Sequence, residues 1–170
     1  QAADQGLEVA MHNLGIMYAH GQGVAQSYVK ARDWFERAER AAEGGYAEAQ
    51  CILGSYYHSG REGVAIDLPR ARMWYEKAAA QGNAGAQYNL GCMHRDGEGG
   101  PQDFTRAREL YEMAAAQGLA MAQCRLGIMH RNGEGGPQDF TRARELFELA
   151  AAQGHATAQH NLGCVYRDGR

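Results

Sequence analysis

The chain has 170 residues, with 17 Lys and Arg against 20 Asp and Glu and a formal net charge of −3. That balance gives no reason to expect nucleic acid or an anionic membrane surface as a partner. No apolar run approaches the roughly 20 residues that span a bilayer, which argues against direct membrane insertion. Cys51, Cys92, Cys124 and Cys164 form no C-x-x-C pair. They are too sparse for a disulfide framework and wrongly spaced for a structural zinc site. Free thiols are the simpler reading and favour a reducing compartment.

From the N-terminus onward the chain repeats itself. "LG" recurs at Leu14-Gly15, Leu53-Gly54, Leu90-Gly91, Leu126-Gly127 and Leu162-Gly163. "AAAQG" closes a segment at 78–82, 114–118 and 150–154. A period in the high thirties is that of a solenoid of helical hairpins. The segment 1–6 matches the end of a preceding helix B. Repeats then run over 7–45, 46–82, 83–118 and 119–154, and the first helix of a further repeat occupies 155–170. The sequence predicts one all-α repeat domain of about four and a half helix-turn-helix units.

Each repeat reads as two helices. Helix A carries the LG pair, as in "AGAQYNLGCMHR" (84–95), with Ala86, Leu90 and Met93 on one stripe. A glycine beside that stripe is costly unless it permits close approach of a neighbouring element. Helix B, as in "FTRARELYEMAAAQ" (104–117), places Phe104, Ala107, Tyr111 and Ala114 on its inner face. On its outer face the pairs Arg32–Glu36, Arg72–Glu76, Arg108–Glu112 and Arg144–Glu148 read as a solvated convex surface. One extra loop residue falls between Ser59 and Asp67. Three extra residues between Ala38 and Ala49 predict a helix B extended by a turn.

The near-identical stretches "DGEGGPQDFTRAREL" (96–110) and "NGEGGPQDFTRAREL" (132–146) look at first like a phosphate cradle used twice. A P-loop needs a Lys after its glycines, and none is present. Asp103 and Asp139 also stand at the predicted N-cap, where a carboxylate takes the first helical N–H groups and repels an anion. In register with Ser27 and Asp67, these stretches become A-to-B joints, with Gly97 or Gly99 at positive φ. "SYVK" (27–30) matches the S-x-x-K of acyl-transfer enzymes, but Ser27 lies in the capping column and no partner motif accompanies it. His94 and His130 share a column with Tyr18, Tyr57 and Tyr166, about 40° from the core stripe, and are expected to pack between helices. Cys92 and His94 point roughly 160° apart and cannot share a metal ion. No cofactor, metal or catalytic residue is expected.

The unit A-Q-x-x-L-G, then G-x-G, an Asp before helix B, A-x-x-W/L-Y/F and A-A-A-Q-G resembles the Sel-one-like repeat (SLR), over essentially the whole chain. The family is related to the tetratricopeptide repeat. The resemblance implies a right-handed α/α superhelical solenoid and, for most members, work as a scaffold or adaptor for protein complexes. Neither end carries the polar capping face that terminal repeats normally present, so the chain reads as a fragment of a longer array. A structural subunit buried in a larger assembly is the alternative. A hydrolase of a small molecule is a second one, but no nucleophile, base and oxyanion trio converges.

In tetratricopeptide proteins, the columns two before, two after and five after the core Leu line a concave groove. Here they hold His12, Ile16 and Ala19, then Cys51, Ser55 and His58, then Tyr88, Cys92 and Arg95. Cys124, Ile128 and Arg131 follow, and His160, Cys164 and Arg167 close the series. Apolar and aromatic side chains with an Arg margin suit a protein or peptide segment with apolar anchors and an acidic group. The competing reading buries part of this face as ordinary packing. Asn13, Asn89 and Asn161, just before the Leu, face sideways toward an adjacent helix.

Overall fold

The computed structural model describes residues 2–41, 47–60 and 65–167. Among them every regular element is an α-helix: α1 (Ala2–His20), α2 (Tyr28–Ala41), α3 (Ala47–Ser59), α4 (Leu68–Ala80), α5 (Ala84–Asp96), α6 (Phe104–Ala116), α7 (Ala120–Asn132), α8 (Phe140–Ala152) and α9 (Ala156–Arg167). The odd-numbered helices are the A helices and the even-numbered ones the B helices. The segment 2–6, read from sequence as the end of a preceding helix B, is continuous with α1. Of the two length differences expected in the sequence, α2 is described to Ala41, and 42–46 and 61–64 lie outside the described residues. No described helix is long and apolar enough to cross a membrane.

The chain forms two compact units, 1–86 and 87–170. In the first, α1 packs on α2, α2 on α3 and α3 on α4; in the second, α6 packs on α7, α7 on α8 and α8 on α9. The joints are local devices. In the A-to-B joint, Gly97 (φ 72°) and Gly99 (φ 68°) both turn left-handed. Asp103 then donates its N–H to the His94 carbonyl at 2.8 Å. Its carboxylate caps α6 by accepting from Arg106 N at 2.9 Å. The 132–140 joint repeats this, with Asp139 capping α8 through Arg142 N at 2.9 Å. Ser27 caps α2 more loosely, accepting from Lys30 N at 3.4 Å. The B-to-A joint is a Schellman turn: Leu119 N donates to Ala114 O at 3.3 Å and Gly118 N to Ala115 O at 2.9 Å, with Gly118 at φ 87°.

Packing follows the predicted stripes. Ala86 and Met93 are fully buried and Leu90 nearly so, as are Ala107, Tyr111 and Ala114. The LG glycines are notches for an aromatic ring of helix B. A Cβ would lie 2.6 Å from Phe35 at Gly15, 2.6 Å from Tyr75 at Gly54, 2.8 Å from Tyr111 at Gly91 and 2.7 Å from Phe147 at Gly127. No side chain fits there, which is why glycine's helix cost of about 1 kcal/mol is tolerated.

Three expectations are corrected. Phe104, the first residue of α6, remains 36% exposed; Leu110, at 1%, fills the core instead. The outer Arg–Glu pairs form at Arg72–Glu76 (3.4 Å), Arg108–Glu112 (3.5 Å) and Arg144–Glu148 (3.9 Å), whereas Arg32 turns to Asp33 at 2.6 Å. Nor is this face merely solvated. Arg108, with only 12% of its side chain exposed, reaches into the next repeat and contacts the His130 ring at 3.0 Å and the Pro137 carbonyl at 3.4 Å.

Candidate functional site

Buried glutamines set the frame of each repeat before any groove residue is placed. Gln81 donates to Gln50 at 2.8 Å, Gln117 to Gln87 at 2.8 Å and Gln153 to Gln123 at 2.9 Å. Each bond ties the end of a helix B to the start of its own helix A, and satisfies an amide buried at 1–5% exposure. A second clasp uses the residue before the cap: Gln26, Gln102 and Gln138 donate to the carbonyls of Ala19, Arg95 and Arg131 at 2.6–2.7 Å. Sequence reasoning gave neither column a role. Their recurrence in register was the available signal.

In the first unit the A-helix face opens into a cavity of about 260 Å³ between α1, α2 and α3. Ile16, Ala19, Phe35, Ile52 and Tyr56 form its apolar wall, and His20, Gln26, Tyr28 and Ser55 its polar margin. Gln26 is pinned there by its bonds to Ala19 O at 2.7 Å and Tyr28 Oη at 3.1 Å. Of the expected groove residues, Ile16, Ala19 and Ser55 face this space. His12 is turned inward, its ring 5.4 Å from Phe35, and burial lowers its pKa against the opposing pull of Glu48. His58 lies 6.4 Å from Tyr75. Burial, with a smaller push from Glu48, raises the Cys51 thiol to about 11, so it stays protonated.

In the second unit the same columns carry charge. The ring of Tyr88 lies 5.7 Å from that of Tyr111, and burial is the main cause that raises its phenol's pKa, with Arg125 pulling the other way. Cys92 Sγ accepts from Tyr111 Oη at 3.2 Å. Arg95 clasps Asp96 with two bonds, Nε to Oδ1 at 2.8 Å and Nη2 to Oδ2 at 2.7 Å. That bond is the main reason the Asp96 carboxyl sits below the ordinary carboxylate range. Arg131 donates through Nη1 to Asn161 Oδ1 at 3.0 Å. His160 is exposed, 3.8 Å from Cys164 Sγ, and Arg167 is exposed at the end of α9.

Cys124 is corrected: at 2% exposure it belongs to the core with Phe147, Ala150 and Val165, and a partner cannot reach it. Ile128 is partly buried against that cluster. Helix α9 packing on α8 covers both positions. Arg125, which the sequence reading did not single out, stands near Tyr88. It occupies the column of Asn89 and Asn161, where Asn161 is indeed buried against its neighbour. His94 and His130 pack as expected, at 8% and 7% exposure, while Tyr166, from the same column, is 62% exposed. Burial, then Arg108, lowers the His130 pKa against Asp139 and Glu112, favouring the neutral ring.

The acyl-transfer motif has no catalytic geometry. The Lys30 ammonium lies over the Tyr18 ring at 5.2 Å, and Ser27 serves as a cap. Among the described residues no group of three His, Cys, Asp or Glu side chains is placed to hold a metal ion.

Short alternating helices, aromatic-filled glycine notches and a joint recurring in register define an α-helical repeat protein of the solenoid class. The profile of the Sel1 repeat matches residues 9–46, 47–83, 84–119, 120–155 and 156–170, and the chain belongs to the Sel1 repeat family. A Sel1 repeat protein from Oxalobacter formigenes, solved by crystallography, superposes with a TM-score of 0.86 at 30% identity, covering 95% of this chain and 65% of that one. Chitin synthase regulatory factor 3 of Schizosaccharomyces pombe is 37% identical over 102 residues, 57% of this chain and 10% of its own length. The ERAD-associated E3 ubiquitin-protein ligase component HRD3A of Arabidopsis thaliana is 36% identical over 106 residues, 56% of this chain and 15% of its own. The chain thus spans a small part of the curated relatives it matches. Sel1 repeats are typically protein-interaction modules.

Proposed function

We propose that the chain is a non-catalytic adaptor whose A-helix face binds a segment of a partner protein. In the second unit Tyr88, Arg95, Arg125, Arg131 and Arg167 receive an acidic group of that segment, a side-chain or C-terminal carboxylate. In the first unit the cavity beside Ile16 takes an apolar side chain. The observation that carries this reading is the state of Arg131. Its hydrogen bonds go to neutral oxygens, on Asn161 at 3.0 Å and Asn132 at 3.4 Å. The guanidinium is therefore oriented while its charge stays available for a bidentate carboxylate contact.

The test is selection from a random peptide library against the chain, followed by titration of the selected peptides. Enrichment of Asp, Glu or a free C-terminus is expected, with binding weakened by added salt. The triple change Arg95→Glu, Arg131→Glu and Arg167→Glu should weaken it about tenfold or more. Selection of neutral or basic peptides, or undiminished binding by the triple variant, overturns the reading.

A further inference from the structure

Residues 93–110 and 129–146 carry the same sequence except at one place, Asp96 against Asn132. Both residues end a helix A, follow a groove arginine and precede a left-handed glycine, Gly97 (φ 72°) or Gly133 (φ 74°). The joint around them is also the same: Gln102 and Gln138 donate to the Arg95 and Arg131 carbonyls, each at 2.6 Å. The two arginine side chains nevertheless differ. Arg95 is held by both oxygens of Asp96, Nε to Oδ1 at 2.8 Å and Nη2 to Oδ2 at 2.7 Å. Arg131 has neutral partners instead, donating through Nε to Asn132 Oδ1 at 3.4 Å and through Nη1 to Asn161 Oδ1 at 3.0 Å. The nearby acid, Glu134, is taken by the Asn132 amide, whose Nδ2 donates to its Oε1 at 2.8 Å.

We propose that Arg131 is the arginine that binds the acidic group of the partner segment, and that Asp96 closes the sister position at Arg95. The inference rests on the reading of the A-helix face as the site of an acidic segment. The Arg95–Asp96 clasp is the chain's own version of the contact, a carboxylate laid along a guanidinium with two parallel hydrogen bonds. A partner's carboxylate takes on Arg131 the place that Asp96 takes on Arg95. At Arg131 it displaces only the long Asn132 bond, while the buried Asn161 keeps the guanidinium oriented. At Arg95 it must displace a like charge. The hydrogen bond from Arg95, with a further pull from Arg125, holds the Asp96 carboxyl below the ordinary range, so the clasp stays ionised at neutral pH. Of the three groove arginines, Arg95 and Arg167 precede an Asp in the sequence and Arg131 precedes an Asn. Asn132 is thus the residue that sets where the acid is read: an amide there leaves the arginine open, and an acid would close it.

The probe is an N-acetylated peptide of alternating Leu and Asp with a free C-terminus, titrated into the isotopically labelled chain while the arginine Nε–Hε resonances are followed. In the unaltered chain the Arg131 signal should shift saturably and the Arg95 signal should stay in place. Asn132→Asp should shrink the Arg131 response and weaken binding about fivefold, the upper range for one partly exposed charge pair. Asp96→Asn should make Arg95 respond as well and strengthen binding by a similar factor. Each variant installs the residue that the sister joint already carries, so both should keep the helical signal. Equal responses of Arg95 and Arg131 in the unaltered chain, or variants that bind as it does, overturn the inference and leave the acidic-segment reading in place. No response at any arginine overturns both.

Discussion

At the Leu-Gly notch, a missing side chain lets two helices meet, and the same residue has opposite consequences at two positions. A Cβ on Gly127 would lie 2.7 Å from Phe147 Cε1 and 3.2 Å from the Ala143 carbonyl. Gly127→Ala should therefore cost about 1–3 kcal/mol, because a well-packed ring must move. Gly163→Ala meets no neighbour and should gain about 0.5–1 kcal/mol of helix stability. Urea midpoints of the two variants check this; changes of the same sign would mean that the notch does not set the packing. Glycine at this position was legible in the sequence as a site of close approach. Its emptiness on α9 was not, since every copy reads Leu-Gly. The groove columns show the same limit. Cys124 and Cys92 both fall on the predicted face, yet Cys124 is sealed in the core and Cys92 is half-buried beneath Tyr111.

Helices begin and end here by local chemistry. Asp103 and Asp139 each accept from the third helical N–H at 2.9 Å, so Asp103→Ala or Asp139→Ala should cost about 1 kcal/mol. Ser27 makes the equivalent contact at 3.4 Å, and Ser27→Asp should raise the thermal midpoint. A midpoint unchanged in the Asp variants would remove the cap from the account of the joint. These ends were readable because cap, glycine turn and helix lie within a dozen residues of each other. The Gln50–Gln81, Gln87–Gln117 and Gln123–Gln153 bonds were not, because their partners stand some 30 residues apart and Gln has no preference that marks it as buried. Arg108 escaped notice for a related reason. Its pairing with Glu112 is a helix-surface pattern, while its contacts with His130 and Pro137 come from the next repeat.

In a repeat array each helix is stabilised chiefly by its immediate neighbours, so stability is expected to be uneven along the chain. Within the second unit α7 packs against both α6 and α8, whereas α9 packs against α8. Amide exchange should accordingly be slower in α7 than in α9, by about a factor of ten for each 1.4 kcal/mol of difference in opening free energy. Equal protection would show that the unit opens as one body.

The sequence by itself determined the helix pairs, their register, the glycine-Asp joints, the buried Ala-Leu stripes and hence the family. All of these are encoded within a single repeat and written nearly five times. Only the tertiary structure decided which predicted surface residues remain on the surface. Exposure is set by the neighbouring helix, not by a residue's place on its own. Burial took Cys124 out of the candidate face, hydrogen bonds to neutral oxygens oriented Arg131, and an unfilled notch set Gly163 apart from four glycines of the same column.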